Sequence, residues 1–358
     1  MVWLLNDVYD VEHRAYFMSE KKMELTPLKI RSHGASSVMH YDERYTPYIE
    51  MTGLLPFVQL VNRSTPNLNA AAVTTLIDRW RSETHSFHLR TGEMTVTLLD
   101  VSMITALPIE GKPLCMSTDS EGWRHQMEAL IDDDVIQRYA RVYMWYVISR
   151  TIFADGTSKN APWMWLKALT IFDNKFSWGS AALAYLYRHL DDACRRTTKD
   201  GGVGGCMLLL SVWSWERLPI GRPKSLKWNT WDDHGNPVRQ PTWAYKWDLV
   251  SEVASKVNLL YKQYTNEMDS LTPEQAADDM TLKAFQRSAY MLKPRKEFKR
   301  YSPDNYAKGK NPVAGGSRLS RSMDDEVEDD DDDESDDPEQ FVVARRKKLA
   351  SKRGRGPK

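Results

Sequence analysis

The sequence predicts a mainly α fold, a single helical domain carrying a small β-hairpin, followed by a disordered C-terminal tail. Apolar residues recur at helical spacing over much of the first 290 positions. All 13 Trp lie between Trp3 and Trp247, so the large aromatic areas that build a core end there. From Lys293 onward the chain turns to Lys, Arg, Pro, Gly, Ser and acids. Such a composition cannot bury enough apolar surface to offset the entropy of ordering it.

Residues 1–45 are mixed in charge and weakly periodic, and little structure is expected of them. Val73, Leu76, Ile77 and Trp80 then fall at i, i+3, i+4 and i+7, one stripe of a helix with Asn69 as its N-cap. In FHLRTGEMTVTL two short stretches flank Arg90–Glu93, which reads as a hairpin. Thr97 with Asp100 resembles a capping box, and Leu98, Val101, Ile104 and Leu107 continue at helical spacing until Pro108 stops them.

Asp132–Asp134 open a run in which Val135, Tyr139, Val142, Tyr143 and Tyr146 repeat with helical period, the acids at the positive end of the dipole. Further helices are expected at about 163–172, 179–196, 206–215 and 245–268. Gly201–Gly205 reads as a flexible break and 221–243 as loop. Thr272-Pro273-Glu274-Gln275 has the marks of a helix start, and that last helix would reach about Leu292. The expected organisation is a variable segment at 1–45, the helical region at 46–292 and the tail at 293–358.

The formal net charge is zero, but the charges are segregated. From Met323 to the C-terminus there are 13 acids and 8 bases, which leaves 36 acids and 41 bases in the remainder. The folded part is mildly basic and the tail a separate electrostatic object. Cys115, Cys194 and Cys206 are an odd number with no close pairing, against both a disulfide framework and a zinc ribbon. The N-terminus carries acids where a signal peptide carries bases. No uncharged apolar run approaches the roughly 18 residues of a membrane span. A soluble protein of a reducing, intracellular compartment is expected.

Three ordered motifs carry a resemblance. The first is Arg79-Trp80, Thr84-His85, Phe87-His88, Gly92-Glu93, Thr95, Thr97-Leu98, Asp100-Val101, Leu107-Pro108 and Gly111. The second is FSWGSAALAYLYRHL, with Trp178, Gly179, Tyr187 and Arg188; the third is WSWERLPIGRP, with Trp213, Trp215, Glu216 and Arg217. The chain thereby resembles the transposon-derived plant mobile domain family, also labelled aminotransferase-like or Maintenance of Meristems-like. The resemblance covers about 45–275; the family's V-x-W-x-P-Y and R-x-x-R-Q-F-G-like segments do not follow, so the domain reads as truncated after about 275. It implies a mainly helical domain, a nuclear location, and roles in meristem maintenance, development and silencing of transposons and genes. It also implies work alongside a plant long-form serine/threonine phosphatase, and it supplies no catalytic residues.

The residues offer sharper chemistry, each with a plainer counterpart. His85 and His88 with a carboxylate could hold a metal, but no third ligand stands at a fixed offset, and the plain reading is one core imidazole on a backbone carbonyl and one exposed. Glu93 and Asp100 could pair for acid–base or two-metal work, although Asp100 suits a helix first turn. Gly201–Gly205 lacks the strand and Lys-Ser/Thr of a phosphate loop, and no lysine is marked for pyridoxal phosphate. Trp213, Trp215, Glu216 and Arg217 fit a core pair of tryptophans with an internal Arg-to-Glu contact better than a binding edge. No cofactor is expected.

In the tail, Arg345, Arg346, Lys347, Lys348, Lys352 and Arg353 concentrate charge as a nuclear import signal does, and such clusters attract phosphates non-specifically. SKRGRGPK approaches an AT-hook core, but Gly356 intrudes before Pro357. The acidic run at 324–337 suits basic partners, shielding of the basic cluster, or a solvated spacer. The expectation is a non-enzymatic nuclear interaction module with nuclear protein partners and no membrane contact. A DNA-binding protein acting through its tail, a degenerate transposon enzyme and a fragment without a host role stand as alternatives.

Overall fold

The structure, a computed structural model, describes residues 10–30, 39–63, 65–116, 134–155, 161–198, 201–218, 220–223, 242–247 and 256–272, with Leu5, Val8 and Val250 besides. The expected helix beyond Thr272, most of the 221–243 stretch, Asp132, Asp133 and the whole tail lie outside them. The described part is mainly helical, with a three-stranded antiparallel sheet and one parallel strand pair. Among the described residues no helix is long and apolar enough to cross a membrane.

The first half is assembled from short helices: α1 (Arg14–Ser19), α2 (Thr46–Thr52), α3 (Leu55–Arg63), α4 (Ala70–Ile77) and α5 (Leu98–Thr105). Asn69 caps α4 by accepting from the Ala71 and Ala72 amides. Thr97 and Asp100 form the capping box of α5. That helix ends at Ala106, which takes a left-handed φ of 57°, two residues before Pro108. Trp80, expected on the α4 stripe, instead begins β2 (Trp80–Arg81), because the helix closes at Ile77. Strand β2 pairs with β3 (Ser86–Leu89), which pairs with β4 (Gly92–Met94), so the expected hairpin is the outer part of a three-stranded sheet.

The second half has longer helices: α6 (Val135–Arg150), α7 (Met164–Lys167), α8 (Trp178–Ala193), α9 (Met207–Arg217) and α10 (Val257–Asp269). Only four residues of the expected 163–172 helix are α-helical, and the expected 245–268 helix is a 3₁₀ turn, Trp243–Lys246, followed by α10. On α6 the period is as read but the phase is not. Ala140, Tyr143, Met144, Val147 and Ile148 are buried, whereas Val135, Tyr139 and Val142 are exposed. Helix α5 lies against both α8 and α9, and α10 runs along α4.

Two segments are more ordered than their composition suggests. Gly201–Gly205, read as a flexible break, is buried throughout, and within it β5 (Gly202–Val203) pairs in parallel with β1 (Lys29–Ile30). A Cβ on Gly204 would stand 2.6 Å from the Ala154 carbonyl oxygen and 2.8 Å from the His189 ring, so the absence of a side chain is what lets these backbones meet. The N-terminal segment, expected to hold little structure, places His13, Arg14, Ala15 and Leu28 inside the core. Its burial runs through isolated residues and polar bonds, which leave no periodic trace.

The core is continuous and aromatic. Trp80, Trp178, Trp213 and Trp247 are fully buried, and Phe153 stacks on Trp165 with ring centroids 3.9 Å apart.

Candidate interaction site

The first motif folds into an edge built on Trp80. Its indole packs against Phe87 at 4.9 Å and Tyr187 at 5.1 Å, and Phe87 in turn meets Trp213 at 5.3 Å, so all three motifs converge on one aromatic group. The Trp80 Nε1–H donates to Asp191 Oδ1 at 2.7 Å. The other carboxylate oxygen, Oδ2, lies 3.2 Å from His85 Nε2.

His85 sits in the turn between β2 and β3 with φ +50°, in the left-handed region that is uncommon outside glycine and that Asn, Asp and His enter most readily. Its ring lies flat on Tyr187, 5.5 Å between centroids and 7° between planes. Its carbonyl accepts from Thr95 Oγ1 at 2.7 Å, while Tyr187 Oη donates to the Val96 carbonyl at 2.6 Å. Burial raises the Tyr187 phenol above its ordinary range, so it stays protonated and able to donate. The His85 side chain is nevertheless 48% exposed. A left-handed residue held by Asp191, Tyr187, Thr95 and the Trp80 ring, 6.1 Å away between centroids, and still open to solvent is backbone strain at a surface.

A second polar group adjoins the turn. Thr84 Oγ1 contacts both Ser86 Oγ at 2.7 Å and His88 Nε2 at 3.1 Å. Ser86 Oγ donates to Glu93 Oε2 at 2.8 Å, and His88 Nε2 lies 3.3 Å from the same oxygen. The two motif histidines thus engage different carboxylates, Asp191 and Glu93. Neither bonds a backbone carbonyl, as the plain reading of this pair had one doing; that role belongs to His13. Among the described residues no three His, Cys, Asp or Glu side chains gather as a metal would require.

The remaining motif residues tie elements together. Asp100 Oδ2 accepts from the Thr97 amide at 2.9 Å and hydroxyl at 2.7 Å, and Oδ1 accepts from Arg217 Nη2 at 2.5 Å. The internal Arg-to-Glu contact expected within the third motif is therefore replaced: adjacent residues on a helix do not face each other. Arg217 crosses to α5, while Glu216 Oε1 accepts from Trp247 Nε1 at 2.7 Å and lies 3.1 Å from Lys246 Nζ. Trp213 and Trp215 are buried as expected, Trp215 against Trp247 at 5.2 Å.

The loop from Pro108 to Lys112 zips onto the start of α8. The Pro108 carbonyl accepts from the Gly179 amide at 2.7 Å, and Lys112 exchanges bonds with Lys175 and Ser177. Gly111, with φ +118°, approaches so closely that a Cβ would stand 2.4 Å from the Lys175 carbonyl oxygen. Arg188 is exposed on α8, one position beyond Tyr187.

Behind the edge lies a buried polar group to which the motifs contribute only Arg79 and the Trp80 carbonyl. Arg14 Nε donates to Asp78 Oδ1 at 2.5 Å, with the two side chains 1% and 0% exposed. Tyr261 Oη donates to Asp78 Oδ2, and burial beside that carboxylate raises the phenol above its ordinary range. His13 Nε2 lies 2.9 Å from the Trp80 carbonyl, with its pKa lowered to about 3 by burial and the neighbouring Arg81 and Arg14. Arg79 reaches Asp269 at 2.6 Å. Arg79 stands in the first motif; for the others the only signal in the sequence is that charged residues flank Trp80 in DRWR, too short a pattern to mark buried charge.

The chain is similar to known proteins over much of this region. The sequence profile described as "Plant mobile domain" matches residues 56–138 and 124–286. Among curated proteins of Arabidopsis thaliana, the chain is 34% identical over 189 residues to protein MAIN-LIKE 2, covering 44% of this chain and 28% of that protein. It is 30% identical over 239 residues to protein MAINTENANCE OF MERISTEMS, covering 58% and 47%. It is 33% identical over 192 residues to a serine/threonine-protein phosphatase 7 long form homolog, covering 45% and 14%. The matched part spans less than half the length of each of these relatives. No solved structure matches significantly. With more than half of its length inside the profile and the three motifs converging as described, the chain belongs to the plant mobile domain family.

Proposed function

We propose that this chain is a non-enzymatic protein-interaction module that works in the nucleus, in developmental control of the kind the name MAINTENANCE OF MERISTEMS denotes, with silencing of transposons or genes as its output. The observation that carries the reading is the His85 turn, which is strained, held by Trp80, Tyr187, Thr95 and Asp191, and exposed. Rigid, partly aromatic surface of this kind makes contacts at low entropic cost. The acidic side chains that suggested chemistry have structural partners instead: Asp100 holds Thr97 and Arg217, and Glu93 holds Ser86 and His88.

Because a phosphatase-named relative contains a matching segment, a serine/threonine phosphatase is the first partner to look for. The basic cluster from Arg345 to Arg353 supplies nuclear import in this reading, with weak phosphate attraction as a by-product.

The test is affinity capture from nuclei of meristematic plant tissue with the full chain, beside a His85→Asn, Glu83→Lys double variant. Asn tolerates the left-handed backbone, and Glu83 is exposed, so the fold should persist. Proteins retained by the wild type should fall at least tenfold on the variant. An unchanged set of captured proteins would remove the His85 turn from the interaction. Deleting 341–358 should abolish nuclear accumulation of a fluorescent fusion, and continued accumulation would refute tail-driven import.

A further inference from the structure

The His85 turn is assembled from two elements, the β2–β3 connection that carries His85 and the last turn of α8 that carries Asp191. One short segment touches both from behind. The Arg14 amide donates to the Cys194 carbonyl at 2.7 Å, at the C-cap of α8, and Arg14 Nη1 donates to the Arg196 carbonyl at 2.8 Å. From the preceding residue, His13 Nε2 reaches the Trp80 carbonyl at 2.9 Å, at the start of β2.

The polarity of that last bond follows from its neighbour. His13 Nδ1 accepts from the Ala15 amide at 3.0 Å, so in the neutral ring the proton sits on Nε2 and points at Trp80. Arg81 Nη1, 3.2 Å from Nε2, donates instead to the same Trp80 carbonyl at 2.9 Å. The Arg14 guanidinium is itself fixed by Asp78, two residues ahead of Trp80, and contacts the Tyr261 hydroxyl of α10. From the strap the bonds run onward through Trp80 Nε1 to Asp191 and from Asp191 to His85.

We infer that the N-terminal segment from Asp10 to Ile30 is a strap whose His13-Arg14 pair positions the recognition turn, clamping β2 and the end of α8 at a fixed separation. The inference rests on the His85 turn being the contact surface. It extends the site upstream of residues 56–286, the span that matches the family profile. The strap is pinned at its far end by β1, paired with β5, and by the Leu28 amide donating to Thr74 Oγ1 at 2.9 Å. His13 and Arg14 act here as positioning residues and contact no partner themselves.

Hydrogen exchange on the full chain tests this, comparing His13→Ala, His13→Gln and Arg14→Lys with the wild type. His13→Ala and Arg14→Lys should speed exchange at residues 84–88 and 191–196 at least tenfold while α6, at Val135–Arg150, keeps its wild-type rate. His13→Gln, which can again donate to Trp80, should recover much of the protection. Unchanged rates at 84–88 and 191–196 in both of the first two variants would overturn the inference. So would a uniform rise across every segment, because the strap would then contribute only global stability. The milder Arg14→Lys substitution keeps the positive charge on Asp78 and guards against outright unfolding. Failure of the contact reading shows separately, as an unchanged capture set with the His85→Asn, Glu83→Lys variant, and leaves the exchange result interpretable.

Discussion

Replacing Asp100 with Ala removes two interactions at once, and their sizes can be worked from the structure. The Asp100 half of the capping box at the start of α5 goes first, while Thr97 still caps the residue-100 amide, a loss of about 0.5–1 kcal/mol. The pair with Arg217 goes as well; its side chains are 3% and 16% exposed. Breaking a buried pair from one side costs about 3–5 kcal/mol, and the residual access of Arg217 to water places this one near ~3. Together the loss is about 4 kcal/mol, and at roughly 2–4 °C per kcal/mol for a domain of this size the melting temperature should fall by ~8–16 °C.

Thermal and urea unfolding of Asp100→Ala, Arg217→Met and the double variant form a cycle that isolates the pair. Arg217→Met alone leaves the carboxylate buried with only Thr97 as donor, so it too should destabilise strongly. The double variant should be less damaged than the sum of the two, with a coupling of about 2 kcal/mol. If the two losses simply add, or if Asp100→Ala costs under about 1 kcal/mol, the bond from α5 to α9 is not what the geometry says it is.

Gly204→Ala should lower stability by about 1–3 kcal/mol, the usual cost of overpacking, since its Cβ would press on the Ala154 carbonyl and His189; thermal unfolding reads this directly. His13 should make stability fall with acid. Its folded pKa, about 3, lies below the unfolded value of 6.5, so the unfolded state binds a proton first. The stability it confers is complete above pH ~6.5 and declines by up to ~1.4 kcal/mol per unit as the pH drops toward 3. His13→Gln should flatten that decline in denaturant midpoints measured between pH 7 and 5. Burial holds the Cys194 and Cys206 thiols up at about 11, whereas Cys115 is exposed. A thiol reagent at pH 7.5 should therefore label Cys115 alone in the native protein and all three after unfolding, as mass spectrometry would count.

The readable parts of this molecule are those in which one local rule decides the outcome. Asn69 and the Thr97–Asp100 box follow from capping chemistry, and the His85–Glu93 region follows from strand alternation around a turn. The α6 stripe shows how local reading fails: two phases of the same period were available in an aromatic-rich helix, and packing against α2 and α7 chose the one through Met144 and Val147. Gly201–Gly205 was illegible for a related reason. Glycine composition is the same whether the chain is loose or pressed against a neighbour, and only the proximity of Ala154 and His189 distinguishes them. The site divides in the same way. His85 stands in a motif, but its strain and exposure appear only in three dimensions. Asp191, His13 and Arg14 enter through contacts 106, 67 and 64 residues apart in the chain, beyond the reach of any pattern in sequence.

The seating of Arg14 also sets an order of events during synthesis. Its partners lie at Asp78, Cys194, Arg196 and Tyr261, so a segment made before all of them completes its contacts only after the last is made. At roughly 5–20 residues per second, the interval between making Arg14 and making Tyr261 is on the order of 12–50 seconds. Through that interval Arg14 lacks the Tyr261 hydroxyl, and until residues 194–196 have been made it lacks the Cys194 and Arg196 carbonyls as well. The strap therefore gains its full set of partners only when α10 has been made.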